Sequence, residues 1–263
     1  MKRKESKGLK SMLRVDFRRL FTQPLLYIMI GTAFVIPILV LVMTTMMDGT
    51  TTVNPQTGVE TTIEAFKNTW QAIGTVSGSG SGMALDLTGM CNINLMYFIV
   101  SVLVCLFIAE DFRSGFAKNL FTVRGKKIDY VTSKTVVCIF GGCLMLLLAF
   151  FVGALIGGAV SGLPFTMDGF HAATLVLCLI TKLLLMAVFV PIYVVMSVIA
   201  KHRSWMSILL CLMTGMFMFM MIPMLTPLNA NLMHVLLCSA GAACFTIGLG
   251  AVSNTILKKT SLV

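Results

Sequence analysis

The sequence predicts an all-α, polytopic membrane protein with six transmembrane helices. Six apolar runs are each near or above the roughly 20 residues that a helix needs to cross a bilayer. A composition of 57% hydrophobic and 11% charged residues would leave a soluble chain of 263 residues with more apolar surface than one core can hide. The predicted spans are residues 25–47, 91–109, 135–160, 171–200, 204–225 and 232–257.

Basic residues mark one side of the predicted membrane. Of the 20 Lys and Arg residues, 18 fall in the N-terminal arm, the connector after the second span, and the short segments after the fourth and sixth spans. The positive-inside rule therefore predicts a cell-membrane protein with both termini in the cytoplasm. The net charge of +10 follows from this asymmetry. It indicates contact with anionic membrane lipids and no nucleic acid as partner.

Residues 1–24 are predicted to form a cytoplasmic basic arm and an amphipathic elbow helix. Apolar residues recur at helical spacing while arginines occupy the opposite side, which is typical of a helix in the membrane interface. A solvated basic tail is the alternative, and the preserved period disfavours it. Pro24 fits the first turn of the next helix. The residues that define the elbow are Leu13, Arg14, Phe17, Arg18 and Phe21.

Residues 25–263 form the predicted six-helix transmembrane domain, and the outer loop 48–90 is its largest outer feature. This loop is polar and includes the flexible run GSGSG. The interval 61–73 has apolar residues on one face of a short predicted helix, which would place Trp70 at the outer interface.

Proline and glycine residues within the predicted spans are expected to affect helix shape and packing. Proline is expected to kink three of them, at Pro37, Pro191 and Pro223. Small-residue spacing predicts close helix approach, with packing inside one subunit favoured over a dimer contact, at Gly153 with Gly157 and at Gly158 with Gly162.

Lys182 is the only charged residue inside a predicted span. An intramembrane cation favours a role in a transport pathway. The alternative is a side chain that extends outward to the membrane surface. The sequence leaves both interpretations open.

Motifs for catalysis are absent from the sequence. It has no P-loop and no HExxH, and none of its ten acidic residues lies in the middle of a span. The eight cysteines lie mostly in apolar runs without CxxC spacing, so they are interpreted as packing residues and no metal site is predicted. We therefore expect no enzymatic activity, no catalytic residues and no cofactor in this chain.

The connector, residues 110–134, is the most informative segment. Its acids and bases alternate, which favours an interface with a soluble partner over contact with lipid alone. A cytoplasmic loop must in any case be polar and basic, and charge alone does not separate these interpretations.

The connector resembles that of the permease subunits of ABC-2 type exporters. The resemblance rests on an acid at the end of the second span, then Gly, Lys-Asn, Arg, Tyr and Lys: Glu110, Gly115, Lys118, Asn119, Arg124, Tyr130 and Lys134. The lead-in LKSMLRVDFRRLFTQPLLYI resembles the elbow helix of the same proteins.

This resemblance implies a permease that pairs with a second permease copy or a related permease and with separate cytoplasmic ABC ATPase subunits, which would carry ATP and Mg. It also implies that the helix around Glu110 to Asn119, in the connector, is the coupling helix. The implied coupling residues are Glu110, Asp111, Arg113, Gly115, Lys118, Asn119 and Arg124.

The sequence leaves the cargo and the rival functions open. Permeases of this class resemble exporters of antimicrobial peptides and lantibiotics, of drugs and other amphipathic molecules, of lipid-linked glycans or of sodium. The acidic outer side favours cationic peptides, and the small number of Tyr and Trp residues disfavours glycans. A non-transporting membrane anchor or sensor that recruits a soluble partner would use the same elbow and connector. An ion channel is disfavoured because no filter sequence lies between the spans.

Overall fold

The computed structural model describes residues 2–53, 60–62, 66–74, 76, 92–124, 126–200, 203–219 and 222–259. The run GSGSG, Cys91 and Lys201 lie outside these ranges. The regular secondary structure in these ranges is helical, including a 3₁₀ helix at Thr69–Ala72, apart from a two-stranded antiparallel ribbon of β1 (Thr51–Val53) with β2 (Glu60–Thr62). The helices are α1 (Lys2–Thr22), α2 (Pro24–Met46), α3 (Leu95–Arg113), α4 (Phe116–Arg124), α5 (Lys127–Val160), α6 (Ala172–Ala200), α7 (Ser204–Phe219), α8 (Ile222–Leu225) and α9 (Leu232–Lys259).

Five of the described helices are long and apolar enough to cross a membrane: α2, α3, α5, α6 and α9. The predicted span 204–225 is divided between the 16-residue α7 and the 4-residue α8. The structure therefore has five candidate membrane spans by length and composition, and the count of six is not confirmed.

Two local features fix where helices begin and end. Gln23 is extended (φ −78°, ψ 130°), and Pro24 then opens α2, where its missing N–H costs no hydrogen bond. Gly115, with φ of +71°, ends α3 in a left-handed conformation that glycine adopts without steric cost. The chain thereby turns from α3 into α4 within the connector.

Helices α3 and α6 form the centre of the molecule. In the apolar stretch of each of these two helices, 67% of the residues are buried, against 28% in α2 and 11% in α9. The outer helices therefore present apolar side chains, such as Leu39 in α2 and Ile247 in α9, to the surroundings. This arrangement fits a protein whose solvent is lipid.

The glycines of α5 bring it against α2. A β-carbon on Gly153 would lie 2.8 Å from Pro37 Cγ and closer still to the Phe34 carbonyl oxygen, and one on Gly157 would lie 2.9 Å from Ile38 Cα. These contacts are packing inside one chain, the interpretation that the sequence favoured. Two of the predicted kink sites, Pro37 and Pro191, lie inside the continuous helices α2 and α6.

The outer loop differs from its prediction. The helix expected over 61–73 is wrong, because residues 60–62 pair as β2 and, among the residues of this interval that the structure describes, only Thr69–Ala72 is helical. Threonine-rich segments favour strands because β-branched side chains fit an extended backbone. Trp70 is 8% exposed and packs edge-on against Phe165 and Phe170, so protein covers its ring.

We predict that Gly153→Ala lowers the free energy of unfolding by about 1–3 kcal/mol, because its methyl group would overlap the backbone of α2. Gly248→Ala is the matched control, since a β-carbon there meets nothing within 4 Å, and it should raise the free energy of unfolding by up to about 1 kcal/mol because Ala favours a helix over Gly. Thermal unfolding of both variants in detergent micelles measures the difference. Equal stabilities would contradict the packing of α5 on α2.

Candidate functional site: a buried ion network beside the connector

Lys134 stands at the centre of a buried ion network that joins three helices. Its Nζ lies 2.8 Å from Asp16 Oδ1 in α1 and 2.7 Å from Asp111 Oδ2 in α3, while Lys134 itself belongs to α5. All three side chains are completely buried. The network therefore ties the N-terminal helix to both helices that flank α4.

The remaining carboxylate oxygens are also paired. Ser133 Oγ donates a hydrogen bond to Asp16 Oδ2 at 2.6 Å. The Tyr130 hydroxyl donates to Asp111 Oδ2 at 3.0 Å, and Arg19 Nη1 lies 2.6 Å from Asp111 Oδ1. Each buried carboxylate is therefore satisfied at both oxygens, as a group removed from water must be.

Aromatic rings line the two cations. Lys134 Nζ lies 4.0 Å from the centroid of the Phe107 ring, and the Arg19 guanidinium carbon lies 4.5 Å from the centroid of the Phe116 ring. Ring faces carry partial negative charge and attract cations, more so when water is excluded. Because Phe116 is the first residue of α4, this contact links the network directly to the connector.

The network is balanced in charge, with two carboxylates, one ammonium and one guanidinium. Burying an ion pair gives little net stability, because desolvation offsets most of the attraction. Removing a single member is different, since it leaves an uncompensated charge in the interior, at a cost of about 3–5 kcal/mol. The network therefore acts as a constraint on how the three helices sit together.

Sequence reasoning missed the network, although a signal was present. Asp16 lies four residues from both Met12 and Leu20, and so on the apolar stripe of α1. Tyr130 and Lys134 form a similar stripe on α5. A charged residue on an apolar helix face predicts a buried partner on a neighbouring helix.

The predicted elbow residues divide between two faces of α1. Leu13 and Phe17 are half-buried against the core, and the Phe17 ring meets Phe140 of α5 with centroids 5.4 Å apart. Arg14 and Arg18 are exposed. Phe21 is 42% exposed and also contacts Phe140, with centroids 6.1 Å apart. The structure thus packs part of the apolar face of α1 on α5.

The predicted coupling residues also divide into two groups. Asp111 is buried in the network, so it does not lie on an accessible surface. Gly115 forms the turn between α3 and α4, and the side chain of Arg124 lies outside the described part of the chain. The exposed members are Glu110, Arg113, Lys118 and Asn119.

The opposite side of α4 is packed against protein. Ala117 is 1% exposed, and the Phe121 ring packs edge-on against Tyr130 at 5.3 Å between centroids. Tyr130 is also a member of the ion network. The connector therefore offers a charged outer face on a helix whose inner face is held by the network.

Lys182 lies in a separate polar cluster near the other end of α3. Its Nζ is 3.0 Å from Asn94 Oδ1 and 2.9 Å from Thr226 Oγ1, and Tyr97 donates a hydrogen bond to its carbonyl oxygen at 2.9 Å. The side chain is completely buried. It does not extend to the surface, as one interpretation of the sequence expected, and its recorded partners are uncharged.

Metal-ligating groups do not converge within the described residues, where no set of three or more His, Cys, Asp or Glu side chains could hold an ion. The described cysteines are free thiols, and most of them are buried in the spans.

A family model described as ABC-2 family transporter protein matches residues 12–218, which is most of the chain. The protein belongs to this family. The match includes the larger part of α1, the ion network and the whole connector. Neither a curated protein nor a solved structure matches the chain.

Membership of the ABC-2 family gives the protein a permease role in ABC transport. Members are transmembrane components that are not themselves catalytic, and their typical partners are ABC ATPases. The several apolar helices agree with a multi-pass membrane protein. The resemblance found in the sequence is confirmed at the level of the family.

We predict that Asp111→Ala in this ABC-2 permease lowers the free energy of unfolding by about 3–5 kcal/mol, because Arg19 would lose its carboxylate partner and the buried Lys134 would lose one of its two. Glu110→Ala is the matched control. It removes the adjacent but exposed acid and should cost less than about 0.5 kcal/mol. Chemical denaturation of both variants in micelles makes the comparison, and similar losses would refute a structural role for the network.

Proposed function

We propose that the protein is the permease subunit of an ATP-driven ABC exporter. It forms the translocation pathway as a dimer with a second copy or a related permease, and it couples to separate cytoplasmic ATPase subunits that carry ATP and Mg. The observation that carries this proposal is the connector, with a charged face exposed and the opposite face fixed by buried ions.

The coupling residues follow from this geometry. Glu110, Arg113, Lys118 and Asn119 are exposed and supply charges of both signs and one amide. Such a mixture suits a specific polar groove on a soluble partner, because complementary charge fixes register and orientation. Arg124 is proposed to extend the same surface. Asp111 positions this surface through the buried ion network, and Gly115 positions it through the turn between α3 and α4.

Movement of the connector would reach the rest of the permease through the ion network. Asp111 belongs to α3, Asp16 to α1 and Lys134 to α5, so a push on α4 displaces three helices together. Packed helices joined by buried polar contacts shift as rigid elements. ATP-driven closure of the ATPases can in this way reorganise the permease interior.

The membrane arrangement that we propose has six crossings in the cell membrane and both termini in the cytoplasm. The placement of basic residues supports it. Helices α7 and α8 together would supply the sixth crossing. Helix α1 would lie in the inner interface as the elbow, where exposed Arg14 and Arg18 meet anionic lipid head groups.

The proposed cargo is amphipathic, of the class that includes cationic antimicrobial peptides, lantibiotics and drugs, and export of such molecules would give resistance to them. The acidic outer side supports a cationic cargo. The second candidate function is a membrane anchor or sensor that recruits a soluble protein without transport. Family membership favours the permease.

We predict that Glu110→Ala combined with Arg113→Ala reduces recovery of an ABC ATPase with the epitope-tagged permease at least tenfold, because the docking charges are gone. The control is Lys258→Ala with Lys259→Ala, which removes two exposed charges at the end of α9 and should leave recovery unchanged. Quantitative mass spectrometry of protein purified from its own membranes measures both. If the first variant recovered the ATPase and transported as the unmodified protein does, the assignment of Glu110 and Arg113 to ATPase docking would be wrong.

Lys182 is proposed to line the pathway. A cation buried among uncharged partners suits a position that meets water or cargo in another state of the cycle. The buried arrangement of Lys182 would then belong to the state in which this position is closed.

We predict that Lys182→Cys reacts with a water-soluble methanethiosulfonate reagent in at least one nucleotide state of the assembly. Val188→Cys is the control, because this apolar residue lies about two turns away on α6 and is 8% exposed, so it should stay unmodified. Peptide mass spectrometry separates these sites from the native cysteines. Protection of residue 182 in every nucleotide state would exclude a pathway role.

A further inference from the structure

Two buried thiols from different helices meet inside the protein. Cys105 Sγ in α3 lies 3.2 Å from Cys211 Sγ in α7. Both side chains are completely buried, and both cysteines are free thiols.

Hydroxyl groups surround this pair. Ser197 Oγ of α6 lies 3.4 Å from Cys105 Sγ, and Ser207 Oγ of α7 donates a hydrogen bond to Ser197 Oγ at 3.0 Å. Cys211 Sγ lies 3.8 Å from the Tyr193 carbonyl oxygen. A purely packing role would be served by apolar neighbours, whereas hydroxyls and carbonyls can accept or relay the proton of a reacting thiol.

We propose that Cys105 and Cys211 form a redox-modification site, which a membrane-soluble quinone oxidises from two thiols to a disulfide. Two S–H bonds break and one S–S bond forms. The two electrons and two protons pass to the quinone, which leaves as the hydroquinone. Reduction by an external dithiol or a phosphine restores both thiols.

The geometry allows this bond with a small movement. The sulfur atoms of a disulfide are about 2.05 Å apart, so the two thiols must close by roughly 1.1 Å. Rotation about the side-chain bonds can provide part of this distance without displacing either helix. The pair therefore meets one condition for a disulfide, which is that the two sulfur atoms are already in contact.

The position of α7 favours a lipid-soluble oxidant. The thiols are shielded from solvent, so water-borne disulfides have no direct access. Helix α7 lies at the edge of the molecule, where Trp205 is 69% exposed and Leu212, next to Cys211, is 40% exposed. A quinone dissolved in the bilayer can approach this side of the protein.

Oxidation would tether α3 to α7. Because α3 carries Asp111 and leads into the connector, the tether restricts the helix that transmits movement from the ATPases. This consequence rests on the proposed function, whereas the chemistry of the dithiol does not.

The test uses the full-length protein in lipid nanodiscs, first reduced and then treated with decylubiquinone, whose fully substituted ring does not alkylate thiols. After denaturation, remaining thiols are blocked with N-ethylmaleimide, and the digest is searched for a peptide pair linked through Cys105 and Cys211. We expect this linked pair in a monomeric band, and we expect a phosphine to abolish it. Both Cys105→Ala and Cys211→Ala should lack it. Cys138→Ala, which removes another fully buried thiol, should form it as the unmodified chain does.

Absence of the linked pair from the quinone-treated, unmodified chain would overturn the proposal, and this result does not depend on any variant folding. Linkage between two chains, or equal linkage through other cysteines, would also overturn it. For an assembly with its ATPase, oxidation should lower ATP hydrolysis at least threefold, and the Cys105→Ala assembly should be insensitive. A linked pair in a protein that recruits no ATPase would support the dithiol site and would refute the proposed function. Stimulated ATP hydrolysis without any linked pair would support the proposed function and would refute the dithiol site.

Discussion

The structure depends on one ammonium group shared between two buried carboxylates. Lys134 contacts Asp16 and Asp111, and none of the three has access to water. Once these charges are buried, each needs the others, because an unpaired ion in the interior is far less stable than a paired one. The shared ammonium thus holds α1, α3 and α5 in one arrangement. These helices also fix the position of the connector, since α4 lies between α3 and α5 in the chain and its Phe121 packs on Tyr130 of α5.

Helix α3 is the element on which both polar regions converge. Near its first residues, Asn94 and Tyr97 contact Lys182 of α6. Near its last turn, Asp111 contacts Lys134 of α5 and Arg19 of α1. Between these ends, α3 is largely apolar and buried. A helix that is anchored at both ends in this way is suited to carry displacement from the connector toward the other side of the membrane.

Hydropathy and charge were sufficient to predict the membrane class and most of the spans, and the resemblance of the connector and the elbow indicated the family. Three features of the structure were not predicted, for identifiable reasons. Residues 127–134 were assigned to the connector, yet α5 begins at Lys127, and Lys134 is paired and buried instead of solvated. The pairing of Thr51–Val53 with Glu60–Thr62 joins separate segments, which a search for helical period does not detect. The ion network joins Asp16 to Lys134 and Arg19 to Asp111, which are 118 and 92 positions apart, so no local pattern of the sequence specifies these partners.

A double-mutant cycle on Asp111 and Lys134 tests the central claim most directly. The free energy of unfolding is measured for the unmodified protein, for Asp111→Asn, for Lys134→Met and for the double variant, all in the same micelles. If the two side chains hold α3 and α5 together, the double variant will be more stable than the sum of the single losses implies, with a coupling of about 1–3 kcal/mol. Losses that add within about 0.5 kcal/mol would show that the two residues act independently. That result would contradict the role of the shared ammonium in holding the helices together.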